Sequence, residues 1–365
     1  MIFSQALNTI HNQKIQTKSQ NNALREASII SGKNIIEISN SQLVSSQLGC
    51  FNSSVVNYQG KRLLFYRYTP QLFTSLTQIA FVELDSNLQP ISQHCPVKLE
   101  KVTDRIVTFD DPRAFVWRDE LWIMHTQAAC VPTGGFSAAI VLSQINLNGE
   151  VIQTHVPNYG RNINYAVADE RPAYEKNWTP LVVNDELYLI YEINPLHVIR
   201  FRPEDQTWLP VSCSPWVSPY QTYLSGGTPL IPWSNSEYIG LFHTFIESSD
   251  KGRFYSMGFY TVDIDQWRVT RISSQPTLVA WSNKYKDIRM YQASPRMILK
   301  DKIQAFFPLR RKHRPLPLVV FPCGIVDCGE AWMVSLGWND CRSYIEIYNK
   351  NTVVESLKIL PYTQA

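Results

Sequence analysis

The 365-residue chain has few charged residues and no long apolar run. Charged residues make up 18%, and 34 Lys and Arg nearly cancel 31 Asp and Glu, so no general positive field is available to attract nucleic acid. The nearest approach to a membrane span, Leu316 to Val326, is broken by Pro317 and Pro322 and is shorter than the roughly 20 residues that cross a bilayer. We therefore expect neither a nucleic-acid partner nor a membrane span.

The sequence also lacks the paired metal ligands and the phosphate-binding loops that hold metals and cofactors. The seven cysteines are an odd number without a CxxC pair, no His pair has zinc spacing, and no glycine-rich phosphate loop precedes a helix. Asp263-Ile-Asp265 has the Asp-x-Asp form of some metal-dependent glycosyltransferases, but a turn after an outer strand is the favoured interpretation. We expect no metal and no cofactor. No signal peptide is visible near the first residue, so a cytoplasmic protein is expected.

Hydrophobic and aromatic residues are abundant. They include 10 Trp, 18 Tyr and 16 Phe, and 44% of the chain is hydrophobic, which is enough for a large core. Such rings either fill the core of a β-protein or form the walls of a sugar-binding cleft.

Five segments repeat one pattern with a noisy period of about 60 residues. Each has a small, polar or proline residue, a short apolar strand, a polar turn and a second apolar strand. They run from Asn52 to Tyr66, Asp111 to Met124, Thr179 to Ile190, Thr228 to Leu241 and Ser294 to Phe306, with Ser54, Pro112, Pro180, Pro229 and Pro295 at equivalent points.

Each repeat predicts a small antiparallel sheet that cannot bury both of its faces alone. Five such sheets arranged radially form a five-bladed β-propeller, which we expect over residues 46–365. A β-sandwich is the alternative, but it gives no reason for five copies. Residues 1–45 are polar and are expected to form an N-terminal extension that packs outside or helps close the ring.

The starts of the repeats, which we call heads, converge on the axis of a propeller. A structural repeat needs only small or turn-forming residues there, but three of the five heads carry charge. They read Asn52-Ser53, Asp110-Asp111 with Arg113, Glu175-Lys176-Asn177-Trp178, Ser225-Gly226-Gly227-Thr228, and Ala293-Ser294 with Arg296. These charges are the strongest functional signal in the chain.

An ordered set of short motifs resembles the five-bladed propellers of glycoside hydrolase family 130, the β-mannoside phosphorylases and hydrolases, and the related β-1,2-mannosyltransferases. It covers roughly residues 50–345. The motifs are Asn52-Ser-Ser-Val-Val with Leu-Leu-Phe-Tyr-Arg67, Asp110-Asp-Pro-Arg113, Lys176-Asn-Trp-Thr-Pro180, Gly226-Gly-Thr-Pro229 with Phe242-His243, and Ser335-Leu-Gly-Trp-Asn-Asp340.

The resemblance implies that Asp111 is the general acid, which protonates the glycosidic oxygen through a sugar hydroxyl. A turn-capping Asp before proline is the structural alternative. Asp110 should point to the opposite side of an extended strand and is the weaker candidate.

The resemblance also implies a set of sugar-binding residues. Arg67 and Arg113 could hold hydroxyls, or could neutralise Asp111, and Trp178 could stack on a pyranose or simply fill the core. The predicted substrate-binding residues are Asn52, Arg67, Arg113, Lys176, Asn177, Trp178, Thr228, His243, Asn339 and Asp340.

An inorganic-phosphate pocket like that of the phosphorylases is less expected. A histidine at the place of His243 belongs to that pocket, but Leu224 and Ser225 replace its lysine, and Tyr191 to Pro195 lacks its arginine. The basic cluster Arg310, Arg311 and Arg314 is either a solvated loop or a clamp for a phosphorylated donor.

The predicted function is a carbohydrate-active enzyme that makes or breaks a glycosidic bond of a mannosyl-like sugar. Glycosyl transfer is favoured. Hydrolysis or phosphorolysis is the alternative, with Glu175, Glu192 or Glu247 as possible bases for hydrolysis. A sugar-binding propeller without catalysis is the second alternative.

Overall fold

The computed structural model describes residues 35–38, 49–70, 76–130, 136–162, 174–248, 252–279, 319–340 and 342–361. Their strands form five antiparallel sheets, which are the five blades of a β-propeller. Among the described residues, no helix is long and apolar enough to cross a membrane.

The first three blades each contain four consecutive strands. The first blade has β2 (Cys50–Tyr58), β3 (Lys61–Tyr68), β4 (Gln78–Leu84) and β5 (Cys95–Pro96). The second has β6 (Ile106–Trp117), β7 (Glu120–Cys130), β8 (Phe136–Ile145) and β9 (Val151–His155). The third has β10 (Thr179–Val183), β11 (Glu186–Glu192), β12 (Leu196–Arg202) and β13 (Thr207–Ser214).

The last two blades also use strands that are distant in sequence. The fourth has β14 (Ser225–Gly226), β15 (Ile231–Pro232), β16 (Glu237–Ser248), β17 (Gly252–Asp263), β18 (Arg268–Ser273), β19 (Leu278–Val279) and β23 (Leu357–Ile359). The fifth has β20 (Val320–Asp327), β21 (Ala331–Trp338), β22 (Arg342–Asn349) and β1 (Ile35–Ile38), and helix α1 (Lys350–Ser356) links β22 to β23.

The packing of the core shows that the five blades close into a ring. Separate apolar clusters fill the interfaces between the first and second, second and third, third and fourth, fourth and fifth, and fifth and first blades. Each blade therefore buries both faces against its neighbours, as the repeat pattern predicts. The five-bladed propeller is confirmed.

The fifth blade differs from the predicted fifth repeat. Residues 294–306, with Pro295, lie outside the described residues, and the fifth sheet instead begins at Val320. Strand β1, which belongs to the predicted N-terminal extension, is the outermost strand of this sheet and pairs with β22. Gly324 of β20 packs closely against the first blade, because a Cβ there would lie 2.3 Å from Val55 N.

A buried carboxyl in the fifth blade makes stability depend on pH. Glu346 is almost fully buried in β22 and accepts a hydrogen bond from the Tyr348 hydroxyl. Burial raises the pKa of Glu346 from 4.5 to about 8. The folded protein therefore keeps this carboxyl protonated at pH values where the unfolded chain has lost the proton.

The free energy of unfolding should consequently fall as pH rises from about 5 to 8, by about 2 to 4 kcal/mol from this group. In Glu346→Gln that part of the decline should be absent in urea unfolding curves taken across this range. Glu330→Gln, at an exposed position of the same blade, is the matched control and should keep the wild-type decline. Identical pH dependence in wild type and Glu346→Gln would contradict the assignment.

Candidate active site

The candidate site lies where the first strands of two neighbouring blades are interrupted by β-bulges. The register shifts between Phe51 and Ser54 in β2 and within 110–113 in β6. Asn52 and Asp111 lie in these bulges with positive φ angles of 52° and 54°, a conformation that Asn and Asp adopt more readily than most other residues. Bulges re-aim side chains, and strained backbone concentrates at functional sites.

Asp111 is a paired, buried carboxylate. It is 5% exposed, and its Oδ1 accepts hydrogen bonds from Asn52 Nδ2 at 2.8 Å and Arg67 Nη1 at 2.7 Å. Burial alone raises the pKa of Asp111, but nearby cations, led by Arg67, and the Asn52 hydrogen bond outweigh it and hold the pKa well below its usual range. This environment favours the ionised form, whereas the sequence interpretation expected an environment that favours a protonated acid.

Asp110 lies in the same cluster, contrary to the expectation that it would point away. Its Oδ1 lies 2.6 Å from Arg67 Nη2 and accepts hydrogen bonds from the hydroxyls of Thr77 at 2.7 Å and Thr108 at 3.0 Å. Lys176 Nζ is 3.6 Å from its Oδ2. Because the bulge breaks the alternation of the strand, both carboxylates bind the same guanidinium group.

Arg113 connects blades across the axis. It is completely buried, and it donates hydrogen bonds to the backbone oxygens of Gly227 and Gly226, the latter at 3.0 Å. A third donor reaches Asn177 Oδ1 at 3.4 Å. These donors are used within the protein, so the prediction that Arg113 binds sugar is not supported by its position.

The third head contributes Lys176 and Asn177. Both are half-buried, and Asn177 has a positive φ of 64°. Gly226 of the fourth head packs directly on this segment, since a Cβ there would lie 2.2 Å from Asn177 O. The heads of the second, third and fourth blades therefore meet, as the propeller prediction requires.

Two predicted sugar contacts are core residues instead. Trp178 is 1% exposed, lies in the apolar cluster between the second and third blades, and donates its Nε1 hydrogen bond to Glu175 Oε2 at 3.2 Å. Thr228 is completely buried, and its hydroxyl accepts a hydrogen bond from Leu241 N at 3.0 Å. Neither side chain is accessible to a pyranose ring.

His243 is buried and neutral. Burial, followed by the charge of Arg113, lowers the pKa of His243 to about 3. Its ring centre lies 4.5 Å from that of Phe321, and its Nδ1 has no hydrogen-bond partner among the described residues. An uncharged imidazole lacks the positive charge that would attract phosphate.

Asn339 and Asp340, which follow β21, have different roles. Asn339 Oδ1 accepts a hydrogen bond from Val319 N at 2.8 Å, which fixes the entry to β20. Asp340 is half-buried. Burial lowers the pKa of Arg67, but the charges of Asp110, Asp111 and Asp340 outweigh it and raise that pKa.

The three glutamates predicted as possible bases for hydrolysis lie in different surroundings. Glu175 is occupied, since its Oε1 accepts hydrogen bonds from Tyr191 at 3.0 Å and Arg161 N at 3.0 Å while its Oε2 binds Trp178. Glu192 is half-buried at the end of β11. The side chain of Glu247 lies outside the described structure.

Other candidate residues lie in turns or outside the description. Asp263 Oδ1 accepts hydrogen bonds from the backbone nitrogens of Asp265 and Gln266, both at 2.9 Å, which identifies a turn cap. No group of three or more potential metal ligands occurs in the part of the chain that the structure describes. The basic cluster Arg310, Arg311 and Arg314 lies outside the described residues.

Solved structures with a similar fold include mannoside phosphorylases. A mannose phosphorylase from Leishmania mexicana, in complex with a phosphate ion, matches with a TM-score of 0.57 and 12% identity over 98% of this chain and 100% of its own. A β-1,2-mannobiose phosphorylase from Listeria innocua, in complex with β-1,2-mannobiose, matches with a TM-score of 0.53 and 12% identity over 89% and 99%.

A third match comes from work on GH130 glycoside hydrolases that target β-1,2-mannosidic linkages in Candida mannan. Its TM-score is 0.57 at 13% identity, over 90% of this chain and 93% of that chain. The chain has the GH130 type of propeller fold. No family model matches the sequence, and no curated protein matches it.

Proposed function

We propose that this protein is a carbohydrate-active enzyme that transfers a mannosyl-type sugar at the propeller axis. The observation that carries the proposal is Asp111, a buried carboxylate on strained backbone at the meeting point of the heads. Partly exposed polar groups lie beside it: Arg67 binds Asp111, and Lys176 lies 3.6 Å from Asp110 Oδ2. Asn177 of the third head and Asp340 after β21 are also partly exposed. Such groups suit the hydroxyls of a sugar.

An ionised Asp111 has no proton to donate and is available only as a proton acceptor. In glycosyl transfer, a hydroxyl of the acceptor attacks the anomeric carbon of the donor and must lose its proton, while the donor's leaving group departs with the bonding electron pair. A carboxylate that starts ionised accepts that proton. The Asp111 carboxyl formed in this step is the acid for the reverse reaction, which is the role implied by the sequence resemblance.

Phosphorolysis and hydrolysis are less well supported by the described residues. The buried, neutral His243 and the enclosed Arg113 offer little positive charge to inorganic phosphate, and Glu175 is occupied. Hydrolysis with Glu192 as base is the second candidate. Binding of a phosphorylated donor by Arg310, Arg311 and Arg314 stays a prediction. A cytoplasmic location also stays a prediction.

A reaction panel tests this proposal. The protein is incubated with β-1,2-mannobiose in water, with inorganic phosphate, and separately with mannose 1-phosphate or GDP-mannose plus mannobiose as acceptor, and products are separated by chromatography. Lengthened mannosides from a phosphorylated donor are expected. Mannose alone from mannobiose would identify a hydrolase, and mannose 1-phosphate formed from phosphate would identify a phosphorylase. No product under any condition, with mannobiose still bound, would indicate a non-catalytic propeller.

A further inference from the structure

Two tyrosines stand out by their exposure. In the described structure nearly all aromatic side chains are buried or half-buried, but Tyr174 and Tyr223 are 51% and 54% exposed. An exposed ring loses the benefit of burial unless a ligand covers it, and it offers a flat apolar face with a polar tip.

The two tyrosines occupy equivalent positions in neighbouring blades. Tyr174 lies three residues before Asn177 of the third head, and Tyr223 lies three residues before Gly226 of the fourth. Asn177 and Gly226 are packed against each other without room for a Cβ. The two tyrosines therefore precede a pair of heads that are packed against each other.

Each tyrosine is connected to the candidate site. Lys176 Nζ lies 5.2 Å from the centre of the Tyr174 ring and 3.6 Å from Asp110 Oδ2, so one side chain touches both. Tyr223 O accepts a hydrogen bond from the hydroxyl of Thr244 at 2.9 Å, next to His243 in β16.

Charged groups lie beside the tyrosine pair. Partial desolvation raises the pKa of the Tyr223 hydroxyl although the side chain is about half exposed, and the charges of Glu192 and Glu175 raise it further while Arg161 lowers it. Glu175 also follows Tyr174 directly in the chain. Glu175 therefore lies near both tyrosines.

We propose that Tyr174 and Tyr223 form a second sugar subsite beside the candidate site, at the third and fourth blades. The apolar C–H face of a pyranose ring packs on an aromatic ring, and its hydroxyls bind charged and polar neighbours, here Lys176 and Glu192. The inference rests on the proposed function and extends it, because it makes the substrate an oligosaccharide with sugars beyond the one at Asp111.

Affinity for a series of increasing length tests the subsite. Mannose and β-1,2-linked mannobiose, mannotriose and mannotetraose are titrated calorimetrically into wild type, Tyr174→Ala and Tyr223→Ala. Wild type should bind the longer sugars more tightly than mannose. Each Ala variant should lose about fivefold to tenfold in affinity for the tetrasaccharide and less than about twofold for mannose. Tyr174→Phe should retain the wild-type gain, and so should the control Ile91→Ala, which shortens an exposed apolar side chain of the first blade.

Equal affinity of wild type for mannose and mannotetraose would overturn the subsite and leave the proposed function standing, provided that mannose itself binds. Absence of binding by all four sugars would overturn both. If an Ala variant does not fold, fluorine spectra of 3-fluorotyrosine-labelled wild type replace it, with resonances assigned through Tyr174→Phe and Tyr223→Phe. Mannotetraose should shift both resonances, and unchanged resonances at saturating sugar would overturn the subsite.

Discussion

Asp111→Asn is expected to reduce turnover by about two orders of magnitude or more while sugar affinity stays nearly unchanged. The Asn side chain has the same shape, and its oxygen can still accept the hydrogen bonds that Asn52 Nδ2 and Arg67 Nη1 donate to Asp111. It cannot accept a proton from an attacking hydroxyl. The loss should therefore appear in kcat, measured on the donor and acceptor found in the reaction panel.

Asp265→Asn provides the matched control for this substitution. Asp265 is exposed in the turn after β17, so the same chemical change there should leave turnover at the wild-type level. Near wild-type turnover of Asp111→Asn would contradict the role of Asp111. Loss of sugar binding with Asp111→Asn would instead assign it to holding the substrate.

Arg67→Ala is expected to cost about 3 to 5 kcal/mol of folding free energy at pH 7. Arg67 is the partner of two buried carboxylates, Asp110 and Asp111, at 2.6 and 2.7 Å, and its removal leaves both negative charges close together with weaker compensation. Urea unfolding measures the loss. Arg200→Ala, which removes a more exposed partner of Glu186, is the control and should cost at most about 1 kcal/mol.

The pH dependence gives this prediction a definite sign. In wild type the pKa of Asp111 is lowered, so its contribution to stability is present above about pH 4 and is lost as pH falls through the lowered pKa. Without Arg67 the pKa of Asp111 should rise, and protonation then relieves the repulsion. The difference between wild type and Arg67→Ala should therefore shrink as pH falls from 7 toward 4. A difference that stays constant over this range would contradict the ion-pair account.

Repetition made the propeller predictable from the sequence. Each of the first four repeats begins with a head and continues into a hairpin, because the same local requirements of turn, strand and buried face recur. The fifth blade was not predicted at its observed place. Its strand β20 has a register shift between Pro322 and Gly324, and Gly324 packs against Val55 without room for a Cβ, which is a contact between blades that the sequence pattern does not show.

The alternation of side chains along a strand gave a wrong prediction at the site itself. An extended strand places Asp110 and Asp111 on opposite faces, but the bulge in β6 turns both toward Arg67. Thr77 and Thr108, which bind Asp110, were missed because their contact to a carboxylate depends on the packing of two blades and leaves no signal in the spacing.

Residue type alone also does not predict whether a side chain is buried. Trp178 and Arg113 lie in heads whose motifs resemble a sugar site. Trp178 packs in the core, and Arg113 donates hydrogen bonds to backbone oxygens. Tyr174 and Tyr223 carry no motif, and their exposure distinguishes them from the other tyrosines in the part of the chain that the structure describes.

A crystal structure of Asp111→Asn with bound β-1,2-mannobiose tests the central claim most directly. We expect one mannose ring at the axis, with a hydroxyl or the glycosidic oxygen within about 3.2 Å of the side chain at position 111 and further hydrogen bonds to Arg67 or Lys176. A disaccharide bound only on the outer strands of a blade, without any contact to residue 111, would contradict the assignment of this site.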